Sequence, residues 1–124
     1  MEYSVVDPDD LERVDDRPCD LRRLGEAAGL DNVAINRFDA EPGEQLPLAY
    51  HVHETQEEAF LVLSGTLHVE TPEGALVVTE GSMFAAQPES PHRAYNPEDA
   101  DESVSVLAIG APSVDDVAPY EPDA

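Results

Sequence analysis

Lysine and tryptophan are absent from this 124-residue sequence, and cysteine occurs once. With Cys19 the only thiol, no internal disulfide can form, and the fold has to rest on an ordinary apolar core. A chain of this length is large enough for one domain with one such core. Cys19 lies in Asp16-Arg17-Pro18-Cys19-Asp20, where nearby carboxylates disfavour the thiolate, so it reads as inert rather than nucleophilic. No basic start followed by an apolar run opens the chain, so no secretory signal is expected. Nor does any apolar run approach the ~20 residues that a membrane-spanning helix needs. The expectation is a cytoplasmic protein without a membrane partner.

Basic residues are scarce. There are six, all arginine (Arg13, Arg17, Arg22, Arg23, Arg37 and Arg93), against 28 acidic residues, for a formal net charge of −22. Such a surface repels nucleic-acid phosphate and anionic lipid, which disfavours both, so no nucleic-acid or membrane partner is expected. High charge can also signal disorder, but here the acids are scattered among regularly spaced apolar segments. The remaining reading is a cytoplasm at molar salt, where the Debye length falls to about 3 Å and carboxylate repulsion is screened. The missing lysine and the reliance on Ala and Val fit a salt-in halophile.

Residues 1–30 form an acidic N-terminal arm. Tyr3–Val6 suggests a short edge strand stopped by Asp7-Pro8, and Asp10–Val14 a single helical turn. Leu21, Leu24 and Ala28 fall at helical spacing with Gly29 as the stop, while an extended Leu21–Leu24 competes. From Asn32 the punctuation becomes that of an all-β domain. Strands are predicted over Val33–Asp39, Leu48–His53, Glu58–Leu63, Thr66–Glu70, Ala75–Thr79, Met83–Gln87, His92–Tyr95 and Ser103–Ile109. Thr71-Pro72-Glu73-Gly74 has the residue order of a type I turn. Short strands at this regular spacing over residues 31–110 favour a sandwich or closed barrel. Residues 111–124 are acidic, Pro-rich and without periodicity, and read as a tail draped over the barrel.

The chemistry concentrates on three histidines. His51 and His53 are two apart on a predicted strand and share a face, with Val52 turned away. Glu57 and Glu58 follow closely, and His92 begins a later strand. Three imidazoles and a carboxylate form a mixed nitrogen and oxygen set suited to a divalent transition metal, Mn, Fe, Ni, Cu or Zn, with positions left for water or substrate. A hard cage for Ca or Mg would not use three histidines. The competing reading is core or surface histidines without metal. Glu57 and Glu58 leave opposite faces of a strand, so one of them belongs to the set. His68 alternates onto the other face and reads as a non-ligand.

Residues Gly43 to Gly65 resemble the first motif of the cupin family: a glycine, His-x-His, four residues, Glu, six residues and a glycine. Here His51-Val52-His53 is followed by four residues, then Glu58, then six residues, then Gly65. Gly81 to Asn96 is similar to the second motif, with Gly81, His92 and Asn96 on their places. The resemblance spans roughly residues 33–110. It implies an all-β double-stranded β-helix (jelly-roll) barrel, commonly dimeric, preceded here by a short, partly helical segment. It further implies one divalent transition metal on His51, His53, Glu58 and His92, since the six residues before Gly65 select Glu58 over Glu57.

Three departures stand out. Seven residues separate Gly43 from His51 where the family usually has five, Gln87 stands for a proline, and Glu89 stands for a glycine. Loss of that glycine predicts a differently shaped turn before His92. Asn96 is expected to close a turn rather than bind a ligand. Fold does not fix function. A metal-dependent enzyme of the oxygenase or isomerase type, acting on a small molecule in the barrel mouth, leads, with Glu57 the candidate base. A non-enzymatic binding or sensing module and a barrel with a purely structural metal are the alternatives. A homodimer is expected.

Overall fold

Alternation of apolar side chains decides which face of each strand points inward. The computed structural model describes residues 2–121. Its strands are β1 (Asp20–Arg23), β2 (Ala34–Ala40), β3 (His51–His53), β4 (Glu57–Ser64), β5 (Leu67–Thr71), β6 (Gly74–Val78), β7 (Met83–Ala86), β8 (Arg93–Tyr95), β9 (Val104–Ala111) and β10 (Val117–Pro119). A short helix, α1 (Leu24–Ala27), links β1 to β2. On β4, Phe60 and Val62 are buried while Leu63 faces out; Leu67 and Val69 on β5 and Val106 and Ala108 on β9 repeat the pattern. Full burial of a Val or Leu contributes about 1.5–3 kcal/mol. Val62, Leu67, Val69, Val104 and Val106, all but inaccessible, therefore dominate the core.

Two sheets enclose that core. One runs β1-β2-β9-β4-β7, with every neighbouring pair antiparallel. The other is built from β6-β5-β8 and from β3-β10, joined where His51 and His92 pair antiparallel, with N···O distances of 3.3 and 3.0 Å. The result is an all-β double-stranded β-helix. Gly65, after β4, has φ +78, and a Cβ there would run into the Ser103 carbonyl and Val104 Cα. Only glycine satisfies both the left-handed backbone and the close approach. The chain contains no helix among the described residues long and apolar enough to cross a membrane.

The arm and the tail differ from expectation. Tyr3–Val6 is irregular, and the helical turn lies over Pro8–Asp10 rather than Asp10–Val14. Pro8 pre-sets the first φ, and the Asp7 carboxylate accepts from Asp9 N at 2.9 Å, so the N-terminal signal begins earlier. Residues 20–28 divide between the two competing readings: an extended β1, then one helical turn ending at Gly29, φ +75. Leu48–Tyr50 is not strand, because Pro47 and the Gln45 side chain, bonded to Leu48 O at 3.1 Å, hold a bend before β3. Within residues 111–124, Val117–Pro119 forms β10 against β3, covering an edge that would otherwise present unpaired backbone groups. Residues 122–124 of the expected tail lie outside the described residues.

Cys19 is buried, and burial, followed by the charges of Glu44, Asp20 and Asp39, pushes its thiol up to about 12. Burial thus contributes more to its inertness than the carboxylates on which the sequence argument rested.

Candidate metal centre

β3, β4 and the turn before β8 bring four side chains to one point. The His51 and His53 rings lie 4.9 Å apart at 88°, and the backbone pairing of His51 with His92 sets their rings 4.7 Å apart. Glu58 sits on β4 opposite Ala86 on one side and Gly110 on the other, both small enough to leave it room. Glu58 Oε1 is 2.9 Å from His92 Nε2, 3.0 Å from His53 Nε2 and 3.6 Å from His51 Nε2. One donor atom from each of His51, Glu58 and His92 falls within a 4.8 Å cluster, and His53 closes on the same carboxylate oxygen.

The outer ring nitrogens explain why the inner ones converge. His51 Nδ1 meets Ala49 O at 3.1 Å, His92 Nδ1 meets Ser90 O at 2.8 Å, and His53 Nδ1 meets Asp116 Oδ1 at 2.8 Å. Carbonyl and carboxylate oxygens only accept, so each Nδ1 donates its proton outward and each Nε2 is left facing Glu58. Three Nε2 atoms this close to one carboxylate oxygen need a proton or a metal cation among them. A divalent transition metal satisfies all four donors at once, and the donor set fits one.

The short contacts between Nε2 and Oε1 also set the electrostatics. Burial alone would raise the Glu58 carboxyl, but hydrogen bonds from His51 and His92 and the nearby imidazole charge hold it at about 2. His92 is pulled down by burial and raised further by its bonds to Glu58 and Ser90 O, so its net shift is upward.

The turn before His92 keeps the left-handed backbone that glycine favours. Glu89 adopts φ +65, and its N–H donates to His53 O at 2.7 Å, tying this turn to β3. The backbone pairing outweighs the cost of placing a Cβ in that region.

Glu57 is exposed, one residue out of phase with Glu58, and faces away from the three histidines. His68 lies apart on β5, its ring 5.8 Å from that of Tyr95. Asn96 is buried and donates to Ala40 O at 3.1 Å and Glu102 O at 2.9 Å, closing the loops below the site. Sequence reasoning missed Asp116. Its Oδ2 accepts from Thr55 N, Thr55 Oγ1 and Gln56 N at 2.6, 2.8 and 3.0 Å. The Thr55 backbone bond, with the His53 and Thr55 side chains, holds its carboxyl well below the usual range. Among 28 acids in the sequence, nothing local marks this one out.

A cavity of about 320 Å³ opens beside the donors, walled by Leu46, Phe60, Ala108 and Val117 and reaching His51, His53 and Glu58. Gln56 crosses one side, its Nε2 bonded to Pro112 O at 3.0 Å. A Cβ on Gly110 would lie 2.7 Å from Gln56 Cδ, so the missing side chain there makes the crossing feasible.

The family model of the cupin domain matches residues 36–110. The structure is similar to that of a candidate sugar phosphate isomerase from Acidithiobacillus ferrooxidans, at 29% identity and a TM-score of 0.68, covering 75% of this chain and 58% of that one. This chain thus spans little more than half the length of that protein. A cupin-superfamily sugar phosphate isomerase from Silicibacter pomeroyi aligns at 26% identity and a TM-score of 0.74, covering 87% and 75%. A polyketide cyclase from Streptomyces resistomycificus shares the fold at 19% identity and a TM-score of 0.79, covering 97% and 87%. No curated protein sequence matches the chain.

Proposed function

The chain belongs to the cupin domain family, and on that footing we propose that it is a metal-dependent enzyme of the isomerase type, acting on one small sugar-like hydroxy compound. The observation that carries this reading is the convergence of three Nε2 atoms and the Glu58 carboxylate at the end of a largely apolar cavity. At about 320 Å³ that cavity lies at the small end of the ~300–1,000 Å³ found for small-molecule sites. The two sugar phosphate isomerases among the similar structures support the substrate class.

His51, His53, Glu58 and His92 would hold the metal. When bound it would act as a Lewis acid, polarising neighbouring hydroxyl and carbonyl oxygens of the substrate. Ala49 O, Ser90 O and Asp116 fix the three rings in their orientation, so little rearrangement is needed for binding. Leu46, Phe60 and Val117 exclude water and strengthen every charge interaction inside. Among the described residues Glu58 is the only carboxylate lining the cavity, and with Oε1 engaged by histidines its Oε2 would hold a proton moving between adjacent carbons. Glu57 on the outer face takes no part in this scheme.

The test is metal analysis of the protein from its native host, followed by NMR of aldoses, ketoses and their phosphates in D2O. Deuterium entry at carbon that disappears on chelation and returns with metal supports the reading. Full metal occupancy with saturable ligand binding and no exchange would instead make the protein a binding module. Full occupancy with no ligand binding would make the metal structural.

A further inference from the structure

The six arginines are not used alike. Arg22, Arg23, Arg37 and Arg93 stand in ion pairs with Asp20, Glu26, Asp39 and Glu70, and Arg13 is exposed on the arm. Arg17 is half-buried on the wall of the cavity. No hydrogen bond or ion pair among the described residues engages its guanidinium. In a chain with 28 acidic residues, a cation against apolar walls without an acid is a marked exception, because an unpaired charge there loses hydration without recompense.

Arg17 is also held in place. Arg22 Nη1 donates to Pro8 O at 2.9 Å and Leu11 O at 3.2 Å, and Val14 N donates to Leu21 O at 2.8 Å, fastening the arm on both sides of a turn. Asp16 is left-handed at φ +58, and Cys19 plugs into the core two residues beyond Arg17. Ala34, Asn36 and Phe38 of β2 line the same cavity at the strand period of two. The Asn36 amide likewise has no side-chain hydrogen bond among the described residues. A guanidinium and an amide without partners therefore share one cavity with the histidine cluster.

We propose that Arg17 and Asn36 form a subsite for an anionic oxygen group, phosphate or carboxylate, at one end of a small substrate whose other end meets the metal centre where His51, His53 and Glu58 line the cavity. The placement of that other end rests on the function proposed above; the anion subsite does not. The guanidinium fork suits two oxygens of such a group, and the apolar surroundings strengthen the bonds. The subsite also addresses the net charge of −22. An anionic ligand approaching this surface is repelled overall, so a local cation with no acid paired to it is what admits it, with salt screening the rest.

The test is calorimetric titration at constant high KCl with D-ribose 5-phosphate, D-ribonate and D-ribose, on wild type, Arg17→Gln, Arg17→Lys and Asn36→Asp, with metal content measured in every sample. Wild type should bind one of the charged probes more tightly than ribose, and the tighter one tells phosphate from carboxylate. Arg17→Gln should weaken that probe roughly tenfold or more, leaving ribose binding and metal content unchanged. Arg17→Lys should recover part of the loss, and Asn36→Asp should weaken the charged probe through a new like charge. The proposal is overturned if wild type binds neither charged probe, or if Arg17→Gln weakens ribose as much as the charged probe. It is equally overturned if Arg17→Gln leaves charged-probe affinity as it was. Arg17-dependent anion binding by a protein that takes up no metal would sink the enzyme reading and leave this subsite standing. A metal-loaded, active protein indifferent to Arg17 would do the reverse.

Discussion

Adjacent residues on one strand carry opposite roles here, and the strand period is the cause. Glu58 shares its phase with Phe60 and Val62 and turns into the barrel, while Glu57 is exposed. Glu58→Gln should lower metal affinity by more than the ~10–100-fold typical of losing an outer partner, because an amide is a poor donor and a negative charge goes with the change. Glu57→Gln should leave metal content at wild-type level and stability within about 0.5 kcal/mol. Equilibrium dialysis of both variants checks this, and the reverse result would shift the register of β4 by one. A second prediction concerns Glu89, which bears φ +65 without being glycine. The left-handed backbone costs about 1–2 kcal/mol for a residue with a Cβ, part of it offset because glycine is freer when unfolded. Glu89→Gly should therefore raise the melting temperature by a few degrees while keeping the bond from residue 89 to His53 O. An unchanged or lowered melt would contradict it.

At the scale of elements, β10 does more than cover an edge. Its pairing with β3 brings Asp116 to His53 Nδ1 and to the backbone of Thr55 and Gln56. One carboxylate thereby orients a ring and closes the turn leading into β4. Asp116→Asn keeps the shape but weakens the acceptor, and should cost ~10–100-fold in metal affinity with a smaller loss of stability. Metal titration beside thermal melts separates the two effects; equal affinity in variant and wild type would show that β10 is a cover only. The conformation of the β4–β5 connection leaves less room. Gly65→Ala should destabilise by more than the ~1 kcal/mol of a simple Gly-to-Ala strain, because the new methyl meets the Ser103 backbone as well as a left-handed φ. Denaturant unfolding reads this directly.

For the molecule as a whole, charge sets the conditions under which the fold holds. Net −22 on one small domain stores self-repulsion that salt relieves. Thermal melts from dilute buffer to molar KCl should rise, and a flat or falling series would remove the halophile reading. Most of the all-β character and the four side chains that the fold brings together, His51, His53, Glu58 and His92, were legible from the sequence, because strand alternation and two motif spacings are local patterns. The burial of Phe60 and Val62 followed from the same alternation. The bounds of β3, the strand β10 and the turn at Glu89 were not legible. Each is decided by a partner far along the chain: His92 for His51, residues 51–53 for β10, and His53 O for Glu89. Asp116 and Arg17 make the same point more sharply. An aspartate among 28 acids and an arginine in an irregular arm carry no sequence signal, since what distinguishes them is which groups stand around them once the chain has folded. The sequence by itself determined the strand faces and the donor types. Only the tertiary structure decided which acid serves His53 and which cation was left without an acid, because long-range pairing alone sets those neighbours.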